Sequence, residues 1–179
     1  YTQVAWSVLC AFAVFSVYKF VAALSGSTPA LMDPDAALRL TQVRQWMTGV
    51  GFFDHSVLHT NTPFGGVATP WTRPLDMILV MASYLSPASA DITYRLLLAS
   101  AWVPVLFGVM AAFVMTRAAR LCFDTRLADV IVVFLCLIPA FQMSTIMGSL
   151  FIAGMTDHHG LLSLLWCGAL YTILSDRTV

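Results

Sequence analysis

Apolar runs long enough to cross a lipid bilayer restrict this chain more than any other feature. Residues 4–24, 96–115 and 130–153 are nearly free of charged side chains, and 161–174 continues the pattern over a shorter length. A bilayer core about 30 Å thick takes about 20 apolar residues in a helix. Only helices and closed barrels satisfy every backbone polar group in that medium. The sequence therefore predicts an all-α fold, a polytopic transmembrane helical bundle whose fourth span is partial.

The overall composition agrees with a membrane protein. The chain is 59% hydrophobic and 10% charged, with a mean hydropathy of +0.83, whereas soluble domains carry about 25% charged residues. The formal net charge is zero, so there is no basic surface to attract nucleic acid, and we expect no nucleic-acid partner. The cysteines lie in or beside apolar runs without CxxC spacing, and we expect neither a disulfide nor a thiolate metal site.

The polar segments between the runs define a topology. Basic residues favour the cytoplasmic side, and they cluster after the second run at Arg117, Arg120 and Arg126. The long loop over residues 25–95 and the short loop near 156–160 are then both external, on the same side of the membrane. Because the chain starts without an initiator Met and ends soon after its last apolar run, we expect a fragment of a longer protein that forms one transmembrane module over residues 1–179.

The external loop opens with an acidic helix start. Asp33 precedes Pro34, and an Asp cap followed by a proline in the first turn is a common way to begin a helix. Asp35 suits the helix dipole and is spaced to pair with Arg39. The segment that follows is amphipathic. Both aspartates therefore have a structural explanation as well as a catalytic one.

The short external loop contains Asp157, His158 and His159 in succession. Polar groups at a membrane boundary are costly unless they serve a purpose, and imidazole with carboxylate suits a divalent transition ion such as Mn, Fe or Zn. The structural alternative is that Asp157 caps the next helix and the histidines are hydrated at the interface. His55 and His59 form a second, weaker candidate pair with HxxxH spacing.

These motifs and their order resemble a known superfamily. The segment DPDAALRLTQVRQW after a first span is similar to the start of the first external loop in catalytic subunits of oligosaccharyltransferases, and GMTDHHG after a later span resembles their second acidic motif. The order of spans and loops also matches. The chain thus resembles the GT-C superfamily of polyprenyl-phosphate-dependent glycosyltransferases, most closely bacterial members with a DHH-type second motif, over nearly its whole length.

The resemblance implies a set of roles. Asp35 or Asp33 would be the catalytic acid of the first loop, with Asp35 preferred, and Asp157, His158 and His159 would hold a divalent metal such as Mn. Phosphate oxygens of the donor would be bound by basic side chains of the external loop, namely Arg39, Arg44 and Arg73. His159 stands where the family usually has Glu, which shifts the preference toward softer ions. The tryptophan-rich acceptor motif of the family is not found, so protein N-glycosylation is not supported.

The implied activity is transfer of a sugar from a polyprenyl-phosphate or diphosphate carrier to an acceptor at the external face of a membrane. The expected location is the bacterial inner membrane with the site on the periplasmic face, and the expected partners are the lipid-linked donor, membrane lipids and other membrane subunits. One alternative is a non-catalytic GT-C-like subunit or scaffold of a larger complex. Another is a transporter segment, suggested by Pro139 and the polar residues that follow it inside the third run.

Overall fold

The computed structural model describes residues 2–24, 34–57, 66–69, 73–123, 126–130 and 151–176. Within these ranges the fold is predominantly helical, as the apolar runs predict. The helices are α1 (Thr2–Leu24), α2 (Pro34–Met47), α3 (Pro74–Ser83), α4 (Ile92–Cys122) and α5 (His158–Asp176). The sequence did not predict the short antiparallel pair formed by β1 (Ser56–Val57) and β2 (Val67–Ala68) within the external loop.

The helix α4 is the longest element and organises the others. Its 31 residues span about 46 Å at the usual helical rise, more than a bilayer core requires. Among the described residues it is the one helix long and apolar enough to cross a membrane. The predicted third span lies mostly outside the described residues, and its last residues, 151–153, form a turn instead of the end of an α-helix.

The start of α4 is fixed by Asp91. Its side chain accepts a hydrogen bond of 2.8 Å from the backbone N–H of Thr93, which satisfies one of the amides that a helix start leaves unpaired. Hydrogen bonds from the Thr93 side chain and backbone hold the pKa of Asp91 below its usual value. The helix therefore begins four residues before the apolar run that predicts it.

A proline inside α4 creates an acceptor for a neighbouring segment. Pro104 has no N–H to donate to the carbonyl of Ser100 four residues earlier. The backbone N–H of Gly154 donates to that carbonyl at 2.8 Å, so the freed acceptor is satisfied from outside the helix. Gly154 has a φ of 92°, a conformation that glycine adopts without the steric cost of a side chain. This bond fixes the turn before α5 against the first half of α4.

The other helices pack along α4 with defined directions. Phe20, near the end of α1, packs with Ala101, whereas Leu9, near its start, packs with Ala112, so α1 runs antiparallel to α4. The main core joins α2, α3 and α4 and includes Val43, Leu79, Leu96, Ala99 and Val103, all 1% exposed or less. The N-terminal half of α4 thus packs against α2 and α3.

Candidate functional site

One hydrogen bond joins the segments that carry the two polar motifs predicted from the sequence. The side chain of Thr156, 1% exposed, donates a hydrogen bond of 3.4 Å to the backbone carbonyl of Ala36. Asp157 follows Thr156 directly, and Asp35 directly precedes Ala36 in the first turn of α2. The contact therefore brings the start of α2 to the start of α5. Asp33 lies outside the described residues.

The turn that precedes the second motif is anchored at two points. Besides the bond from Gly154 to α4, the backbone N–H of Ala153 donates to the hydroxyl of Ser16 on α1 at 3.1 Å. Ser16 is buried, so its hydroxyl depends on protein partners. Residues 153–156 are all buried. The motif that follows is thus held by α1, α2 and α4 together.

Asp157, His158 and His159 form a compact group at the start of α5. The carboxylate of Asp157 lies 2.5 Å from Nδ1 of His158 and 3.4 Å from Nε2 of His159, and its side chain is 12% exposed. The two imidazole rings are 4.2 Å apart between centroids. One ligand atom from each residue lies within 4.8 Å of the others. Two ligands each about 2.0–2.2 Å from one ion lie at most about 4.4 Å apart, so the group comes close to this spacing.

The carboxylate of Asp157 has two close contacts with the residue that follows it. Within the described part of the chain, Nδ1 of His158 is buried and has no hydrogen-bond partner of acceptable geometry, despite its short distance to the carboxylate. The same carboxylate accepts a 2.6 Å bond from the backbone N–H of His158. A buried nitrogen aimed at a carboxylate without a hydrogen bond needs an explanation. Two imidazoles and one carboxylate are a ligand set that suits a divalent transition ion, so the residue types fit the metal that the sequence suggests. The 2.5 Å spacing of Nδ1 and the carboxylate, by contrast, is that of an ion pair and is closer than two ligands of one ion would lie.

Two of the predicted phosphate-binding arginines share one buried carboxylate. Arg39 donates from Nη1 to Oδ1 of Asp76 at 2.8 Å, and Arg73 donates from Nη1 to Oδ2 at 3.0 Å. The three side chains are 1%, 6% and 0% exposed, respectively. We call them the Asp76 cluster. Because arginine stays protonated in proteins, the cluster places two buried cations on one carboxylate.

Arg73 also ties the segment between α2 and α3 to the cluster. Its Nε donates to the carbonyl of Phe52 at 2.8 Å, and its Nη2 donates to the carbonyl of Asp54. Its guanidinium lies 5.7 Å from the ring centroids of both Trp46 and Phe52, within cation–π range. All three guanidinium nitrogens of Arg73 donate hydrogen bonds. Arg73 therefore joins the end of α2 and the loop after it to the start of α3.

A second buried polar side chain supports the same loop. Gln42, 1% exposed, donates from Nε2 to the hydroxyl of Thr69 at 2.9 Å and to the carbonyl of His55 at 3.2 Å. The pair β1–β2 brings Thr69 and His55 together. The helical pattern places Arg39 and Gln42 away from the apolar face of α2, but the structure buries both against α3 and the β pair.

The remaining predicted residues occupy more open positions. Asp35 and Arg44 are exposed on α2, and the positive charge of Arg44 contributes to the lowered pKa of Asp91. His55 lies within 3.5 Å of Gln42 through its ring, whereas its suggested partner His59 is outside the described residues. No described contact joins His55 to the Asp157 group.

Sequence reasoning missed Asp76 as a partner for the arginines. The available signal was a lone carboxylate in PLDMILVMAS, an otherwise apolar segment. A charge on such a segment is retained in a buried position only with an opposite charge. The nearby arginines were assigned to phosphate, and this assignment left Asp76 without a role.

Comparisons with known proteins add no relative to this description. No protein-family model, curated protein or solved structure matches the chain. The fold and the candidate site are therefore the basis for a functional proposal.

Proposed function

We propose that this chain is a membrane glycosyltransferase module of the GT-C type. It moves a sugar from a polyprenyl-phosphate or diphosphate carrier to an acceptor at the external face of the membrane. The observation that supports the proposal is the hydrogen bond from Thr156 to Ala36, because it joins the start of α2, which carries Asp35, to the turn that leads into the Asp157 group. A reaction of this kind needs an acid or base and a cation at one place.

Each side chain takes a role that its chemistry supports. Asp35 orients the acceptor hydroxyl and accepts its proton, with Asp33 as its neighbour. Asp157, His158 and His159 hold a divalent ion such as Mn, which supplies positive charge to the departing phosphate when bound. Arg44 is exposed and available for phosphate oxygens.

Arg39 and Arg73 act at a distance in this proposal. Both donate to Asp76, so they would influence a bound phosphate through the field of their buried guanidinium groups, which the surrounding protein screens less than water does.

Exposed apolar side chains support both the membrane location and a lipid-linked donor. On α3, Met77 and Met81 are 46% and 61% exposed, and on α5 Leu165 and Trp166 are 59% and 76% exposed. Side chains of this size gain free energy when hydrocarbon replaces water around them. We propose that α1, α4 and α5 lie in the bilayer and that the polyprenyl tail of the donor approaches the site along α3.

Manganese binding tests the site separately from catalysis. The full chain in detergent is titrated with Mn²⁺, and free ion is followed by electron paramagnetic resonance. We expect Asp157→Asn and His159→Gln each to weaken binding by at least about tenfold, the scale seen when metal-site groups are lost. Asp176→Asn, an exposed carboxylate at the far end of α5, should bind as the wild type does. Equal binding by all four proteins would overturn the metal site.

Transfer is then assayed with a radiolabelled polyprenyl-phosphate hexose and Mn²⁺, by release of the polyprenyl phosphate. We expect Asp35→Asn to reduce turnover by about 10²- to 10⁴-fold, the usual contribution of general acid–base catalysis, with Asp176→Asn again as the control. Manganese binding with no transfer by the wild type would favour a non-catalytic subunit. Turnover that survives Asp35→Asn would remove that residue from the mechanism.

A further inference from the structure

Besides Arg39 and Arg73 of the Asp76 cluster, two further arginines lie together in the described structure, at a cleft between α1 and the last turns of α4. Its lining residues come from both helices: Trp6, Phe113, Thr116, Arg117 and Arg120. We call it the Arg117 cleft. Seventeen residues of helix separate Arg117 from Ser100, which is about 25 Å at the usual rise. The cleft is therefore remote from the candidate site and belongs to the opposite end of α4.

The two arginines of the cleft are held in different ways. Arg120 binds Asp129 through three contacts, from Nε to Oδ1 at 3.0 Å and from Nη2 to Oδ1 at 2.7 Å and Oδ2 at 3.0 Å. This bidentate pairing fixes the plane of its guanidinium at the wall of the cleft. Arg117 lies 5.3 Å from the ring centroid of Phe113 and makes no ion pair with any described carboxylate. Arg117 thus presents a positioned positive charge.

The walls of the cleft are aromatic. The rings of Trp6 and Phe113 are 6.3 Å apart between centroids, and Phe113 is 51% exposed. Indole and phenyl groups beside cationic residues are typical of the level where lipid headgroups meet hydrocarbon. Thr116 is buried, and its hydroxyl is already donated to the carbonyl of Ala112. A ligand of this cleft must therefore combine an anion with an apolar part.

We propose that the Arg117 cleft binds the phosphate of an anionic membrane lipid in the leaflet opposite the candidate site. The guanidinium of Arg117 pairs with the phosphate, while Trp6 and Phe113 contact the glycerol and the first methylenes of the acyl chains. The C-terminal end of a helix repels anions, so binding depends on the arginine and not on the backbone. The inference requires that α4 crosses the membrane, and it is independent of glycosyl transfer.

Native mass spectrometry of the full chain in detergent tests the proposal. Phosphatidylglycerol and phosphatidylcholine are added separately to delipidated protein, and the dissociation constant of the first bound lipid is measured for each. We expect preferential retention of phosphatidylglycerol. Arg117→Gln should weaken its binding about tenfold, as the loss of one charge-assisted hydrogen bond predicts, whereas Arg117→Lys should restore most of it.

Arg126→Gln is the matched control, because Arg126 is an exposed arginine at the same end of the molecule that does not line the cleft. Equal weakening by Arg126→Gln and Arg117→Gln would mean unspecific attraction and would overturn the proposal. Displacement of phosphatidylglycerol by millimolar inorganic phosphate would identify a soluble anion as the ligand and would also overturn it. Since transfer activity is not measured here, failure of this test leaves the proposed function unaffected.

Discussion

Replacement of Asp76 by asparagine tests whether the Asp76 cluster holds the segment between α2 and α3 in place. The side chain is 0% exposed, and each carboxylate oxygen accepts from a different arginine, at 2.8 and 3.0 Å. Asparagine keeps the shape but removes the carboxylate that pairs with two buried guanidinium groups. Breaking a buried ion pair by removing one partner costs about 3–5 kcal/mol. For a chain of this length that cost lowers the melting temperature by about 6–20 °C.

The assay is thermal unfolding of the purified protein in detergent, followed by intrinsic tryptophan fluorescence. Trp46 lies beside Arg73, so the signal reports on the loop as well as on the helices. Arg39→Met is measured alone and combined with Asp76→Asn. Because the two side chains are in contact, we expect the double variant to lose about 0.5–3 kcal/mol less than the sum of the single losses.

Asp91→Asn is the control for the loss of one negative charge. Its side chain is exposed, and asparagine caps a helix about as well as aspartate, so its melting temperature should stay close to that of the wild type. The reasoning fails if Asp76→Asn melts within 2 °C of the control, taken as about 0.5–1 kcal/mol. It also fails if the effects of Arg39→Met and Asp76→Asn simply add.

Further predictions concern glycines and acid stability. Gly154→Ala should cost about 1–2 kcal/mol, because an L residue is strained at its φ of 92°, and chemical denaturation measures the loss. A Cβ added at Gly108 would lie 2.7 Å from the side chain of Phe151, so Gly108→Ala should destabilise the protein by about 1–3 kcal/mol. A Cβ added at Gly168 meets nothing within 4 Å, so Gly168→Ala should stabilise α5 slightly. The pKa of Asp91 is lower in the folded protein than in the unfolded chain, so its ionised carboxylate stabilises the fold above the unfolded-state pKa. That stabilisation is lost as the pH falls through the folded-state pKa. Below about pH 4, the melting temperature of Asp91→Asn should therefore depend less on pH than that of the wild type.

The helices of this chain were the predictable part of its structure. Long apolar runs require internal backbone hydrogen bonds, so α1, α4 and α5 appear where residues 4–24, 96–115 and 161–174 predict them, with α4 extending beyond both ends of its run. The amphipathic start of the external loop likewise predicts α2. These predictions depend on the local periodicity of apolar residues, which can be read directly from the sequence.

The partners of buried polar groups were not predictable in the same way. Arg39 and Asp76 are 37 residues apart, and Thr156 and Ala36 are 120 apart. Periodicity places a residue on a face of its own helix, but the choice of neighbour depends on how helices from distant parts of the chain pack. This is why Arg39, which the sequence assigned to phosphate binding, and Gln42, a polar residue of α2, are both buried in the fold.

Pro104 shows how a local rule and a distant partner combine at the candidate site. The sequence alone states that this proline frees the carbonyl of Ser100 if the segment is helical, and a freed carbonyl inside an apolar bundle requires a donor. It does not state which donor. The structure supplies the N–H of Gly154, two residues before Thr156 and three before Asp157. The position of the Asp157 group therefore depends on the backbone hydrogen bond that Pro104 cannot make within α4. Pro104→Ala would offer a competing N–H to Ser100 and should loosen the turn, with weaker Mn²⁺ binding as the measurable consequence. If Pro104→Ala binds Mn²⁺ as tightly as the wild type, the contacts with Ser16 and Ala36 are sufficient to hold the motif.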